Sequence, residues 1–228
     1  MHFVILGLAV VAIIFGPQLW ARYTFARHHQ PREDFPGTGG ELAQHLIDRH
    51  ALADVQLETT AQGDHYDPIT KTVRLTPGYF NGKSLTSIAI AAHEVGHAIQ
   101  HAENNALFAT RTRLAQVAIS AERLGLIAML AIPVIAAITR APSAGVVMAA
   151  IGLSSMLIGT LVHLVTLPVE LDASFKKALP ILESGNYVSA EDIPAVRQIL
   201  RAAALTYVAN SLANLLNLWR WVAILRRR

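Results

Sequence analysis

Cysteine is missing from all 228 residues. Disulfides, CxxC redox chemistry and thiolate metal sites are therefore excluded, and any metal must be held by His, Asp or Glu. Charge is scarce as well: Asp, Glu, Lys and Arg make up 15% of the chain, against about 25% in an average soluble domain. No internal repeat and no low-complexity run is visible. The space is filled by apolar residues, 53% of the total, and mean hydropathy is +0.38. These figures exclude a disordered tail, a collagen-like chain and an ordinary soluble enzyme, and the apolar excess is expected to go into membrane. The 19 Lys+Arg against 16 Asp+Glu leave a net +3 and a pI ≈ 9.4. That bias is too mild to argue for a nucleic-acid partner.

Long uncharged runs are what the chain does have. Residues 3–15, continued through Leu19, Trp20 and Ala21, are followed by runs at 124–139 and 145–167. About 20 apolar residues cover the hydrocarbon core of a bilayer, so these read as three spans. The first lacks a basic leader and a small-x-small cleavage site, and reads as an uncleaved anchor over 1–21. Residues 140–143 form the turn of a transmembrane hairpin over 124–167. Residues 202–228 hold a further transmembrane or interfacial helix. In it Asn210, Asn214 and Asn217 share one face and are expected to bond neighbouring helices.

Ten Lys or Arg lie in 22–123 and four in 168–201, with none before Arg22. The positive-inside bias puts both segments on the cytoplasmic side of a bacterial inner membrane. The expected fold class is thus a mainly α, multi-pass membrane protein. Its cytoplasmic domain, 22–123, carries a small β-hairpin or sheet, and 168–201 adds a helical segment.

Within 22–123, Thr38 and Glu41 fit a capping box ahead of a helix over 41–50. Segments 54–60 and 71–76 alternate like strands around a Gly-, Asp- and Pro-containing loop, which predicts a hairpin. Segment 71–76 is further expected to serve as an edge strand that pairs with substrate backbone. Ser84 is a good N-cap for a helix that contains His93-Glu94-Val95-Gly96-His97, an HExxH sequence. Its histidines, four apart, lie on one face and can bind one Zn²⁺. Glu94 can reach a water activated there and take its proton.

Two histidines and a water leave one protein ligand missing. His101 continues the series but lies about 12 Å along the axis from His93, at 1.5 Å per residue. The longer form HExxHxxGxxH fails, because this chain has Gln100 and Glu103 at the positions that need Gly and His. Glu103 and Glu122 remain possible, without a supporting pattern. Glu170 has more context: it follows Pro168 just after the third run, as if opening a helix. An acid there could also merely stabilise the helix dipole. Two crossings separate it from His97, which returns it to the same side of the membrane.

DHYDP at 64–68, KTVRL at 71–75, AAHEVGHAIQH at 91–101 and VELDAS at 169–174 together resemble the YugP-like family of bacterial membrane zinc metallopeptidases. The resemblance covers most of the chain. It implies a membrane-bound endopeptidase of the gluzincin type. One Zn²⁺ per chain would be held by His93, His97 and Glu170, with Glu94 as general base and a protein or peptide as substrate. The broader gluzincin pattern has an acid four residues after the glutamate ligand; here that place is Ser174, with Asp172 nearby.

Other residues allow two readings. Asp64, His65, Tyr66 and Asp67 could supply an oxyanion donor, an outer partner for a metal ligand or a substrate contact, or could simply shape a hairpin loop. His163 could relay protons or pack between helices. Arg22, Arg27, Arg32, His28 and His29 fit a headgroup zone. Beside the enzyme stand two other functions, a catalytically silent zinc-stabilised membrane scaffold and a small transporter. An intact Glu94 disfavours the first, and the absence of paired intramembrane charges disfavours the second.

Overall fold

The computed structural model describes residues 2–139 and 144–205. The 140–143 turn and everything beyond 205, including Asn210, Asn214 and Asn217, lie outside the described residues, as do the side chains of Glu122 and His163. Helix α1 (His2–Arg27) leads to α2 (Gly39–Arg49) and then to three short strands, β1 (Gln56–Thr59), β2 (His65–Asp67) and β3 (Thr72–Leu75). A short α3 (Pro77–Phe80) precedes α4 (Leu85–Ala102), which carries HExxH. Two long helices follow, α5 (Ala106–Thr139) and α6 (Ala144–Asp172). A π-helical turn (Ala173–Ala178) then leads to α7 (Leu179–Ser184), and residues 193–205 are again helical.

The starts of α2 and α4 follow from their caps. Thr38 Oγ1 accepts from the Glu41 N–H, and Glu41 Oε2 accepts from the Thr38 N–H at 2.7 Å. Ser84 Oγ likewise accepts from the Ser87 N–H. Leu42, Ala43, Leu46 and Ile47 give α2 one buried face, turned toward α4. Helix α4 is different, because every residue from Leu85 to Gln100 is buried. Its alanines and Gly96 let α2, the sheet and the π-helical turn approach from several sides. A Cβ at Gly96 would stand 3.0 Å from the Ala173 carbonyl oxygen, so a side chain here would press the turn outward by a few tenths of an ångström.

The strand expectation needs correcting. Strands β1 and β3 pair in parallel, and the hairpin joins β2 to β3, giving the order β1-β3-β2. Segment 71–76 is therefore the central strand, with both edges already paired, and cannot take a substrate strand. Period-two alternation shows which face a strand buries and says nothing about its neighbours. Glu170 also does not open a helix: α6 runs through Pro168 and ends at Asp172, which removes the simple dipole explanation for that residue.

The multi-pass membrane reading is corrected too. The runs at 3–15, 124–139 and 145–167 are helical, but among the described residues no helix is long and apolar enough to cross a membrane. Helices α5 and α6 instead pack along each other. An apolar run reads alike whether its helix faces lipid or another helix, and periodicity alone does not separate the cases. The argument that an even number of crossings brings Glu170 to His97 falls with it, and their proximity rests on the π-helical turn that follows α6, which packs against α4.

Candidate metal centre

Helix α4 presents His93 and His97 one turn apart, and the last turn of α6 presents Glu170 opposite them. His93 Nε2 lies 3.2 Å and His97 Nε2 3.3 Å from the same atom, Glu170 Oε2. All three side chains are buried, Glu170 completely. Their donor atoms lie within 4.8 Å of one another. Two donors bound to one zinc ion at 2.0–2.1 Å with tetrahedral angles stand about 3.3 Å apart, so the observed spacings fit an ion of that size. Glu170 Oε1 is buried without a hydrogen-bond partner among the described residues. A carboxylate taken out of water this way is costly unless a cation or donors meet it. The histidines and Glu170 could therefore hold a metal.

The far ring nitrogens are occupied. His97 Nδ1 is 2.9 Å from Gln100 Oε1, and His93 Nδ1 is 3.2 Å from Ser174 Oγ. Ser174 Oγ donates onward to the Leu200 carbonyl, which leaves its lone pairs for the His93 N–H. The place that the gluzincin pattern gives to an acid thus touches the His93 ring here through a hydroxyl. Asp172 reaches the centre one step further out, accepting from Gln100 Nε2 at 2.8 Å. Burial by itself would push the Glu170 carboxyl up, but the charge and hydrogen bonds of His97 and His93 outweigh it and hold the group well below the usual carboxylate range.

Glu94 is buried beside this cluster. Burial pushes its carboxyl up to about 7, with smaller upward contributions from Glu170 and Asp64; His93 and the Tyr66 backbone N–H oppose the shift. A carboxyl poised near neutrality can take and return a proton at little cost.

Residues the sequence left open take other roles. Tyr66 OH meets His101 Nδ1 at 2.9 Å, and Phe108 from the first turn of α5 tilts against the His97 and His101 rings. His101 thus stands outside the cluster, as its axial distance required. Glu103 pairs with Lys177. In the DHYDP segment, Asp64 accepts from the Thr76 N–H and hydroxyl, and Asp67 accepts from Ile69, Thr70 and Arg74. These are loop- and hairpin-forming bonds, in line with the second reading of that segment. Ser174 stands at the place the resemblance marked for an acid, whereas Gln100 as a partner of His97 carries no motif of its own. The signal for Gln100 was its place one turn past His97 on the same side of α4.

The family model described as "Putative neutral zinc metallopeptidase" matches residues 3–226. The chain is 32% identical to "Putative membrane protease YugP" of Bacillus subtilis (strain 168), over 98% of its own length and 96% of that protein's. No solved structure matches it.

Proposed function

The chain belongs to this zinc metallopeptidase family, and from that premise we propose that it is a zinc-dependent endopeptidase in which Glu94 is the general base. The observation that carries this reading is the convergence of two histidine nitrogens on one buried carboxylate oxygen, with a second carboxyl buried alongside. His93, His97 and Glu170 would hold one zinc ion per chain. When bound, zinc supplies acidity to a water molecule and polarises the carbonyl of the peptide to be cut.

The chain's own residues do the rest. Glu94 takes the proton of the attacking water and later delivers it to the leaving nitrogen. Its elevated proton affinity suits both transfers near neutral pH. The burial of Glu94, His93 and His97 limits water around the reacting atoms and strengthens every charge there. The open sheet edge on this side belongs to β2, which packs on α4.

The substrate is a protein or peptide. We place its encounter at a lipid surface, because Trp20 and Tyr23 on α1 and Ile127 and Ile138 on α5 are exposed and the Bacillus relative is named a membrane protease. Glu94→Gln should keep zinc while peptide hydrolysis falls about 10²–10⁴-fold. Near-normal turnover in that variant would remove Glu94 from the chemistry. Wild-type protein that stays in solution when lipid vesicles are sedimented would remove the surface.

A further inference from the structure

One fully buried side chain joins α4 to α6 at the metal centre. Gln100 uses both ends of its amide. Nε2 donates to the Val169 carbonyl oxygen at 2.9 Å and to Asp172 Oδ2 at 2.8 Å, while Oε1 lies 2.9 Å from His97 Nδ1. A peptide carbonyl only accepts, and so does a carboxylate. Turning the amide over would set its oxygen against two others, so the geometry admits one orientation. Oε1 is then an acceptor facing His97, and a hydrogen bond at 2.9 Å requires the proton on Nδ1. A neutral imidazole in that form carries its free lone pair on Nε2, the atom that faces Glu170. The Val169 carbonyl belongs to the peptide unit leading into Glu170. The same amide therefore grips the backbone that carries the third donor.

We propose that Gln100 is a positioning residue for the metal centre. It holds His97 in its Nδ1–H tautomer and docks the Glu170 turn on α4, so that donors from two helices face one point. The proposal rests on the zinc reading above for the ion, and on hydrogen-bond chemistry alone for the tautomer. An amide suits this double task in a way that an acid does not. A carboxylate could accept from His97, but it could not donate to Val169 and would repel Asp172. A leucine of similar volume could do neither.

The test uses the full chain with isotope-labelled histidine, free of metal and in alkaline buffer. Long-range proton–nitrogen NMR reads which His97 nitrogen carries the proton, and competition with a chelator reads zinc affinity. Wild type should show Nδ1–H. Gln100→Leu should show mixed tautomers and bind zinc about 10–100-fold more weakly, as is usual when the partner of a ligand histidine is lost. Gln100→Glu should keep Nδ1–H but bind zinc with intermediate affinity, since the acceptor for His97 stays while the bonds to Val169 and Asp172 are lost.

A wild-type His97 protonated on Nε2 would overturn the proposal, as would a Gln100→Leu protein with unchanged tautomer and affinity. If the leucine variant does not fold, Gln100→Glu decides, because a His97 proton that moves to Nε2 there is equally fatal. Wild type that binds no zinc would instead defeat the zinc reading, with the tautomer result still readable.

Discussion

Two segments of this chain are rich in histidine and acid, and they use them in opposite ways. Around α4, His93, His97 and Glu170 are buried and turn their free atoms toward one another. In the 64–67 segment, three side chains are instead answered within the hairpin and its loops: Asp64 by Thr76, His65 by the Gly63 carbonyl, Asp67 by Arg74 and its own loop. Among the described residues the first cluster leaves a carboxylate oxygen buried and unanswered; the second leaves Asp64 and Asp67 answered. Residue type alone does not separate a chemical site from a structural one. What separates them is whether the polar atoms are satisfied within the fold or are held, desolvated, for something else.

The sharpest way to break this contrast is to remove one acid from each environment around α4. Glu170→Ala should weaken zinc binding more than the 10–100-fold typical of losing an outer partner. Glu103→Ala, which loses a surface pair with Lys177, should leave it nearly unchanged. Chelator competition on both purified variants measures this. Equal affinities would mean that the buried carboxylate is not a ligand.

The contrast also marks what could be seen without a structure. The HExxH pair was legible because four residues make one helical turn, and both caps were legible because Thr38–Glu41 and Ser84 satisfy orphan N–H groups nearby in sequence. Glu170 was legible only as the best of several acids. Its place depends on α6 running unbroken through Pro168 and on the π-helical turn after it packing against α4, distant in sequence, which no local pattern encodes. The π-helical turn after Asp172 has no sequence signature at all. The parallel pairing of β1 with β3 was hidden for a related reason: the chain passes through β2 at the far edge before returning to the middle. Membrane crossing was over-read, since apolar length does not say what a helix faces.

Packing across the same seam gives a second, smaller test. Gly96 faces the Ala173 carbonyl oxygen at the start of the π-helical turn, and an added Cβ would sit 3.0 Å from it and 3.4 Å from Lys177 Cβ. Backbone cannot retreat as a side chain can. Gly96→Ala gains about 1 kcal/mol of helix propensity but should lose more through overpacking, typically 1–3 kcal/mol. It should also weaken zinc binding, because pushing that turn outward carries Glu170 with it. Denaturant unfolding of metal-free protein and chelator competition should therefore shift together. Weakened zinc binding without lost stability would show that the two helices are not coupled at this contact.

The smallest effect is expected in the second cluster, and it should touch stability alone. Burial would raise the Asp67 carboxyl, but bonds from the Ile69 N–H, Arg74 and Thr70 outweigh it and lower the group from the ordinary 3.8 to about 2. A carboxyl lowered in the folded state stabilises the fold above its unfolded value, and that contribution fades as pH falls through the folded one. Asp67→Asn keeps an oxygen for Ile69 but removes the charge that Arg74 meets at 2.9 Å. Its cost at neutral pH should be about 1–2 kcal/mol, allowing for the partial exposure of the pair. Measured on metal-free protein, the gap between wild type and variant should close as pH falls from about 4 to 2. Zinc affinity at neutral pH should not change. A variant that lost zinc, or a gap that persisted in acid, would mean that the hairpin and the metal centre are not the separate environments their hydrogen bonds describe.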